Sequence, residues 1–218
     1  MTKEKKQIPM DPDKVTRIMS AALVIFAKHG YRDAKTDAIA QKAEVSKGII
    51  FRYYGNKSQL YMATLQFAAE RLYQVADFNI WKDAADLEEM VVKATKYKIQ
   101  LQLLFPNEFK LLLDAYAEIS HAPAALKHQI AHFYAGQTSS NIMALIDPIL
   151  DRLPLRSDVD KATIQHLILG IFDQITVETK AFMQAHPTAD LTDFAEIIDH
   201  VRAYMDVIEH GFLKANSV

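Results

Sequence analysis

The sequence predicts an all-α protein, with a three-helix helix-turn-helix domain at the N-terminus and a larger helical domain after it. Three observations carry this. Apolar residues recur at spacings of three and four almost throughout. Alternating β-branched runs are missing, and six glycines are too few for the tight turns of a β-protein. Near the N-terminus, a longer helix is followed by a short helix, a turn and a second short helix.

The first helix is expected to start at Asp11-Pro12, where proline's missing N–H costs nothing. It places Ile18, Ala22, Ile25 and Phe26 on one face and ends at Gly30, a residue that tolerates positive φ. The second helix spans Thr36 to Ala43, the third Ser46 to Tyr53, and the fourth Asn56 to about Phe78. Leu87, Met90, Ala94, Tyr97, Leu101 and Leu104 mark the inner face of a fifth, which Pro106 is expected to stop. Glu108–Ile119 reads as a sixth. A long helix follows from Pro123, with a bend near Pro148. After the loop Pro154–Asp158 a helix runs to His186, and the last covers Asp190 to Lys214.

The two final helices are the most informative. Leu191, Phe194, Ile198, Val201, Met205, Ile208 and Phe212 are spaced 3, 4, 3, 4, 3, 4, a heptad stripe. The preceding helix is apolar almost all round, from Ile164 through Phe172 to Val177, as expected of a helix covered on every side. Both patterns point to a homodimer, with Gly170, Ile198, Val201, Met205, Ile208 and Phe212 at the interface. Burial inside a monomer is the alternative.

The stretch AEVSKGIIFRYYGNKSQLY, residues 43–61, divides into two faces. Val45, Ile50, Tyr54 and Leu60 point inward. Ser46 sits where an N-cap belongs, its hydroxyl free to accept from Gly48 or Ile49 N–H. Lys47, Gly48, Ile49, Phe51, Arg52 and Tyr53 are left outward or at the rim. Lys47 suits guanine O6 or N7, Ile49 a thymine methyl, Arg52 and Tyr53 phosphates, and Gly48 a close backbone approach. Lys57 heads the next helix, where a phosphate is also favoured. Charge agrees: residues 1–61 hold twelve Lys and Arg against six Asp and Glu, and the rest thirteen against twenty-one, for a net charge of −2. A basic quarter on an acidic remainder fits a nucleic-acid contact at one end. Lys3, Lys5 and Lys6 of the tail supply part of that excess.

The run from Ala21 to Leu65 resembles the DNA-binding domain of TetR-family transcriptional regulators. The resemblance lies in Phe26 with Gly30-Tyr31, Thr36 with Ile39-Ala40, VSKG at 45–48, the aromatics of 51–54, and NKSQLY at 56–61. It covers about a fifth of the chain. It implies a DNA-binding domain over residues 1–57, with a recognition helix at about 46–53, and an effector-binding and dimerisation domain over 58–218. It also implies a dimer on a near-palindromic double-stranded operator, released by a small-molecule effector. Thr36 joins the expected DNA face. Glu44, in the turn where glycine is common, and acidic Asp37 depart from the family pattern.

For the effector, Tyr97, Tyr116, Phe133, Tyr134, Gln137, Met143 and Phe172 are candidate pocket residues. Gln174 and Glu178 join them, because a carboxylate on so apolar a helix calls for a partner. His128 and His132 lie four apart, but no third ligand completes a metal set. No nucleophile elbow, phosphate loop, dinucleotide fingerprint or zinc-protease motif is present, so neither an enzyme nor a cofactor is expected. Without cysteine there are no disulfides. With no apolar leader and no membrane-length apolar run, a cytoplasmic protein is expected. The rival reading is a helical ligand- or partner-binding protein that keeps the helix-turn-helix only as scaffold.

Overall fold

The computed structural model describes residues 9–77, 79–117, 123–135, 146–155, 157–186 and 189–210, and every regular element among them is helical. The helices are α1 (Pro12–Asp33), α2 (Thr36–Lys42), α3 (Lys47–Tyr54), α4 (Lys57–Val75), α5 (Leu87–Leu104), α6 (Pro106–Ala117), α7 (Ala124–Ala135), α8 (Lys161–Ala185) and α9 (Ala195–His210). A short helical piece lies at 146–150, and a 3₁₀ turn at Leu191–Phe194 leads into α9. No helix among the described residues is long and apolar enough to cross a membrane.

Packing separates the chain into two units. The first is Met1–Val75 with Phe105–Ala135; the second is Ala76–Leu104 with Gly136–Val218. This differs from the functional boundary expected at residue 57, because α4 and α6 pack on α1, and α7 on α4 and α6.

In the first unit, Asp11 caps α1 by accepting from Asp13 N and Lys14 N, with Pro12 at the first helical position. Ile18, Met19, Ala22, Leu23 and Phe26 are buried, and the Phe26 ring meets Tyr61 of α4 edge-on at 4.9 Å. Gly30 breaks the helix at φ 66°, as expected, but a last turn continues to Asp33. The end of α2 is a Schellman turn: Val45 N donates to Ala40 O at 3.0 Å and Glu44 N to Gln41 O at 3.2 Å. Such a turn requires a left-handed residue, and Glu44 supplies it at φ 52°. Ser46 then caps α3, accepting from Ile49 N. Ile39 of α2 and Ile50 of α3 are sealed in the core, each stabilising the unit by about 1.5–3 kcal/mol. Gly55, at φ 76°, ends α3, and a Cβ there would lie 2.3 Å from Gln59 Oε1. Pro106 opens α6, as a first-turn residue, rather than merely stopping α5. Glu108 of α6 is buried and paired with Arg71 of α4 at 2.7 Å.

In the second unit, α5 packs on α9. The buried side of α5 is Leu87, Met90, Val91, Thr95, Ile99 and Gln102. Leu104, expected inside, is 64% exposed, and Ala94, Tyr97 and Leu101 are half-buried. The inner face is therefore rotated toward two polar residues that a hydrophobic pattern cannot register. Asp160 caps α8 through Thr163 N.

The heptad stripe of α9 also differs from expectation. Phe194, Ile198, Val201 and Met205 are buried within this chain, and Ile208 is half-buried; Phe212 lies outside the described residues. Ile198, Val201 and Met205, expected at a dimer interface, are buried within this chain, where α9 packs on α5. On α8 the exposed face is Leu167, Gly170, Gln174, Val177 and Ala181, itself spaced 3, 4, 3, 4. Gly170 is open there: a Cβ added at that position would meet nothing within 4 Å.

Candidate nucleic-acid interface

The outer side of α2 and α3 carries Lys35, Asp37, Lys42, Lys47, Gly48, Phe51 and Arg52, all exposed. Local packing decides which way they face. With Ile39 and Ile50 sealed in the core, the other sides of these short helices have only solvent to meet. Lys47, in the first turn of α3, is not free: its Nζ donates to Asp37 Oδ2 at 2.8 Å and lies 6.0 Å from the centre of the Phe51 ring. Arg17 of α1 reaches the turn and donates to Glu44 O at 3.4 Å. Ile49 is half-buried against the core, so the apolar residue at the rim also braces α3.

Three expected residues turn at least partly inward. Thr36 is buried at the head of α2. Tyr53 is half-buried, and its hydroxyl accepts from Asp11 N at 3.1 Å. Lys57 donates to Arg32 O at 3.0 Å, with its ammonium over the Tyr31 ring at 5.1 Å. Burial pulls the Lys57 pKa below the usual lysine range, against the attraction of Asp33. Sequence reading missed the Asp37 partnership. Its only signal was an acid on an otherwise basic face.

The residues expected to line an effector pocket are divided between the units. Tyr116, Phe133 and Tyr134 lie in the first. Tyr134 donates to Leu112 O at 2.6 Å, and burial pushes its hydroxyl pKa up. Tyr97, Phe172, Gln174 and Glu178 lie in the second, where Tyr97 accepts from Asp77 N at 2.7 Å. Gln137 and Met143 lie outside the described residues. Glu178 has protein partners: Gln174 Nε2 at 2.8 Å, His200 Nδ1 at 3.1 Å and the Tyr204 hydroxyl, both of the latter on α9. Burial opposes its ionisation, but hydrogen bonds from Tyr204, Gln174 and His200 outweigh that and hold its pKa below the usual range. A cleft of about 870 Å³ opens in the first unit among Lys28, Arg32, Tyr61, Lys110, Leu126 and Ile130. None of the expected effector residues among the described ones lines it.

A capped short helix presented over a Schellman turn, with cations on its outer side, defines a helix-turn-helix protein. Residues 18–64 match the family model described as bacterial regulatory proteins, tetR family. An HTH-type transcriptional repressor of Streptomyces coelicolor is 33% identical over 100 residues, 44% of this chain; the match spans half of that relative's length. An HTH-type transcriptional repressor of Mycobacterium tuberculosis is 27% identical over 181 residues, 79% of this chain and 93% of the relative. The fold is similar to that of a TetR-like transcriptional regulator from Rhodococcus, with a TM-score of 0.63 at 16% identity, covering 94% of this chain and all of the other. Residues 18–64 thus carry the signature of the TetR family, and the fold of the chain is similar to that of TetR-like regulators.

Proposed function

We propose that the protein is a ligand-responsive transcriptional regulator of the repressor type. It is a cytoplasmic homodimer that binds a near-palindromic operator in double-stranded DNA and is released by a small-molecule effector. Residues 1–57 bind DNA; residues 58–218 hold the effector and the dimer contact.

The observation that carries this reading is the exposed first turn of α3. Lys47 and Gly48 stand outward there, with Arg52 exposed in the last turn, while Ile50 of the same helix is sealed in the core. The N-terminal turn of a recognition helix is the part that reaches base edges in the major groove. Lys47 reads guanine or meets phosphate, Ile49 and Phe51 lie against the groove, and Ser46 and Arg52 flank them. Tyr53, Lys57 and Thr36 contribute at the rim, Lys57 by exchanging the Arg32 carbonyl for a phosphate. The dimer forms through the exposed heptad face of α8, Leu167, Gly170, Gln174, Val177 and Ala181, which supports close approach of a second helix at its glycine.

Selection of binding sites from random duplex DNA tests this. The expected result is enrichment of an inverted repeat, lost on adding extracts that contain the effector. Recovery of no enriched sequence would favour the scaffold-only alternative.

A further inference from the structure

A polar stripe, buried at Thr95 and Gln102 and half-buried at Lys98, runs along α5. Thr95, Lys98 and Gln102 follow one another at spacings of three and four, which puts them on one side of the helix. Thr95 and Gln102 are only 2% and 1% exposed. Among the described residues, the Thr95 hydroxyl and both polar atoms of the Gln102 amide have no hydrogen-bond partner. Other helical threonines behave differently: Thr64, Thr176 and Thr179 each return the hydroxyl to the carbonyl one turn back. Lys98 donates to Thr176 Oγ1 of α8 at 2.7 Å. The surroundings are the apolar core of the second unit, with Ile99, Ile168 and Ile175 fully buried.

Packing alone does not account for these residues. Leucine or methionine would fill a similar volume with nothing to desolvate, and an amide with all its hydrogen-bonding atoms unmet is rare in a native core. Lys98, Gln102 and Thr95 together present an ammonium, an amide N–H and a hydroxyl, all able to donate.

We propose that Thr95, Lys98 and Gln102 anchor an organic acid, a carboxylate carried on an apolar body, within the second unit. The carboxylate is an acceptor only, and the three donors of the stripe match it. Gln102 Oε1 accepts from a hydroxyl or N–H beside the carboxylate. An amine of the same body would bring like charge to Lys98, and an alcohol would leave donors unmet. This deepens the effector reading above and rests on it for its regulatory meaning.

The test uses the full chain and matched probes: octanoate, octanol and octylamine, with benzoate, benzyl alcohol and benzylamine, by calorimetric titration at neutral pH. Octanoate or benzoate is expected to bind at least about tenfold tighter than the alcohol or amine of the same body. Lys98→Met and Gln102→Leu should each abolish that preference, with helical circular dichroism intact. Gln102→Leu should also raise the Tm of the unliganded protein. If one variant fails to fold, the other decides. Equal binding of acid and alcohol, or a preference that survives both substitutions, overturns the anchor. So does failure of both acids to bind a protein that still selects DNA, which would leave only water on the stripe. Acid preference without any DNA selection would instead overturn the regulator reading and leave the anchor standing.

Discussion

Lys47 Nζ lies 2.8 Å from Asp37 Oδ2, so the leading cation of α3 is tied to a carboxylate on α2. Both side chains are well exposed, and the pair contributes little to stability. On the proposed function, its effect falls on recognition. Lys47 must leave Asp37 to meet a base or phosphate, or carry the carboxylate to the DNA with it. Asp37→Asn is expected to tighten binding to the selected operator by up to about fivefold, the scale of an exposed ion pair. Titration at several salt concentrations should also give a slope steeper by about one. Weaker binding with lost preference at a single C·G pair would instead make Asp37 a direct reader of cytosine.

Lys47→Ala separates two roles for the lysine. Reading guanine at two atoms predicts a loss of about 1–3 kcal/mol concentrated on one base pair. A loss spread evenly over operator variants would make Lys47 a phosphate contact. A panel of single-substitution operators distinguishes them.

Glu44 holds a left-handed conformation that glycine adopts without strain. Glu44→Gly is expected to stabilise the protein by about 1 kcal/mol, seen as a higher Tm. The Arg17 bond to the residue-44 carbonyl survives the change, and only the exposed 3.5 Å contact with the carboxylate is lost. A lowered Tm would mean that the carboxylate matters more to the turn than its backbone strain.

Burial draws the Lys98 pKa from 10.5 down to about 8, against the attraction of Asp173 on α8. Below pH 8 the ammonium is charged in both folded and unfolded chains, and the folded state carries its desolvation. Between pH 8 and 10.5 the unfolded chain binds more protons, so this penalty is relieved as pH rises. Lys98→Met is therefore expected to be more stable than wild type near pH 7, by about 1–3 kcal/mol. Urea melts at pH 7.5 and 9.5 should show that advantage shrinking at the higher pH. A constant gap would place the ammonium in contact with solvent.

Val177 is 63% exposed on the heptad face of α8. Val177→Glu should leave the helical signal intact and halve the mass measured by light scattering. A dimer that persists places the contact elsewhere.

Most helices were legible because each buries a face with helical period, and ends were marked by Pro12 and Ser46. The Schellman turn could be placed through Val45 and Ser46 even though Glu44 replaces the usual glycine. The fate of a stripe was less legible. Val201 and Met205 form a sound heptad, but periodicity does not say whose helix covers it, and α5 of the same chain does. On α5 the inner face includes Thr95 and Gln102, and polar residues count toward the solvent side in any hydrophobic pattern. The Asp37–Lys47 pair joins two helices across a turn, where no helical spacing relates them. The division of Tyr116 and Tyr134 from Tyr97 and Glu178 depends on which helices pack together, which no local pattern encodes.

The bond from Lys57 Nζ to Arg32 O joins the first residue of α4 to the last turn of α1. A pin of this kind at one end of a rod permits pivoting and resists sliding. If α4 shifts along its axis, the pin must shear or drag the end of α1, and with it the short link to α2. If α4 swings about Lys57, the far end near Val75 sweeps the larger arc while the link stays still. An effector that acts through α4 thus has two mechanically distinct routes to the reading helix, and only the sliding one strains this joint.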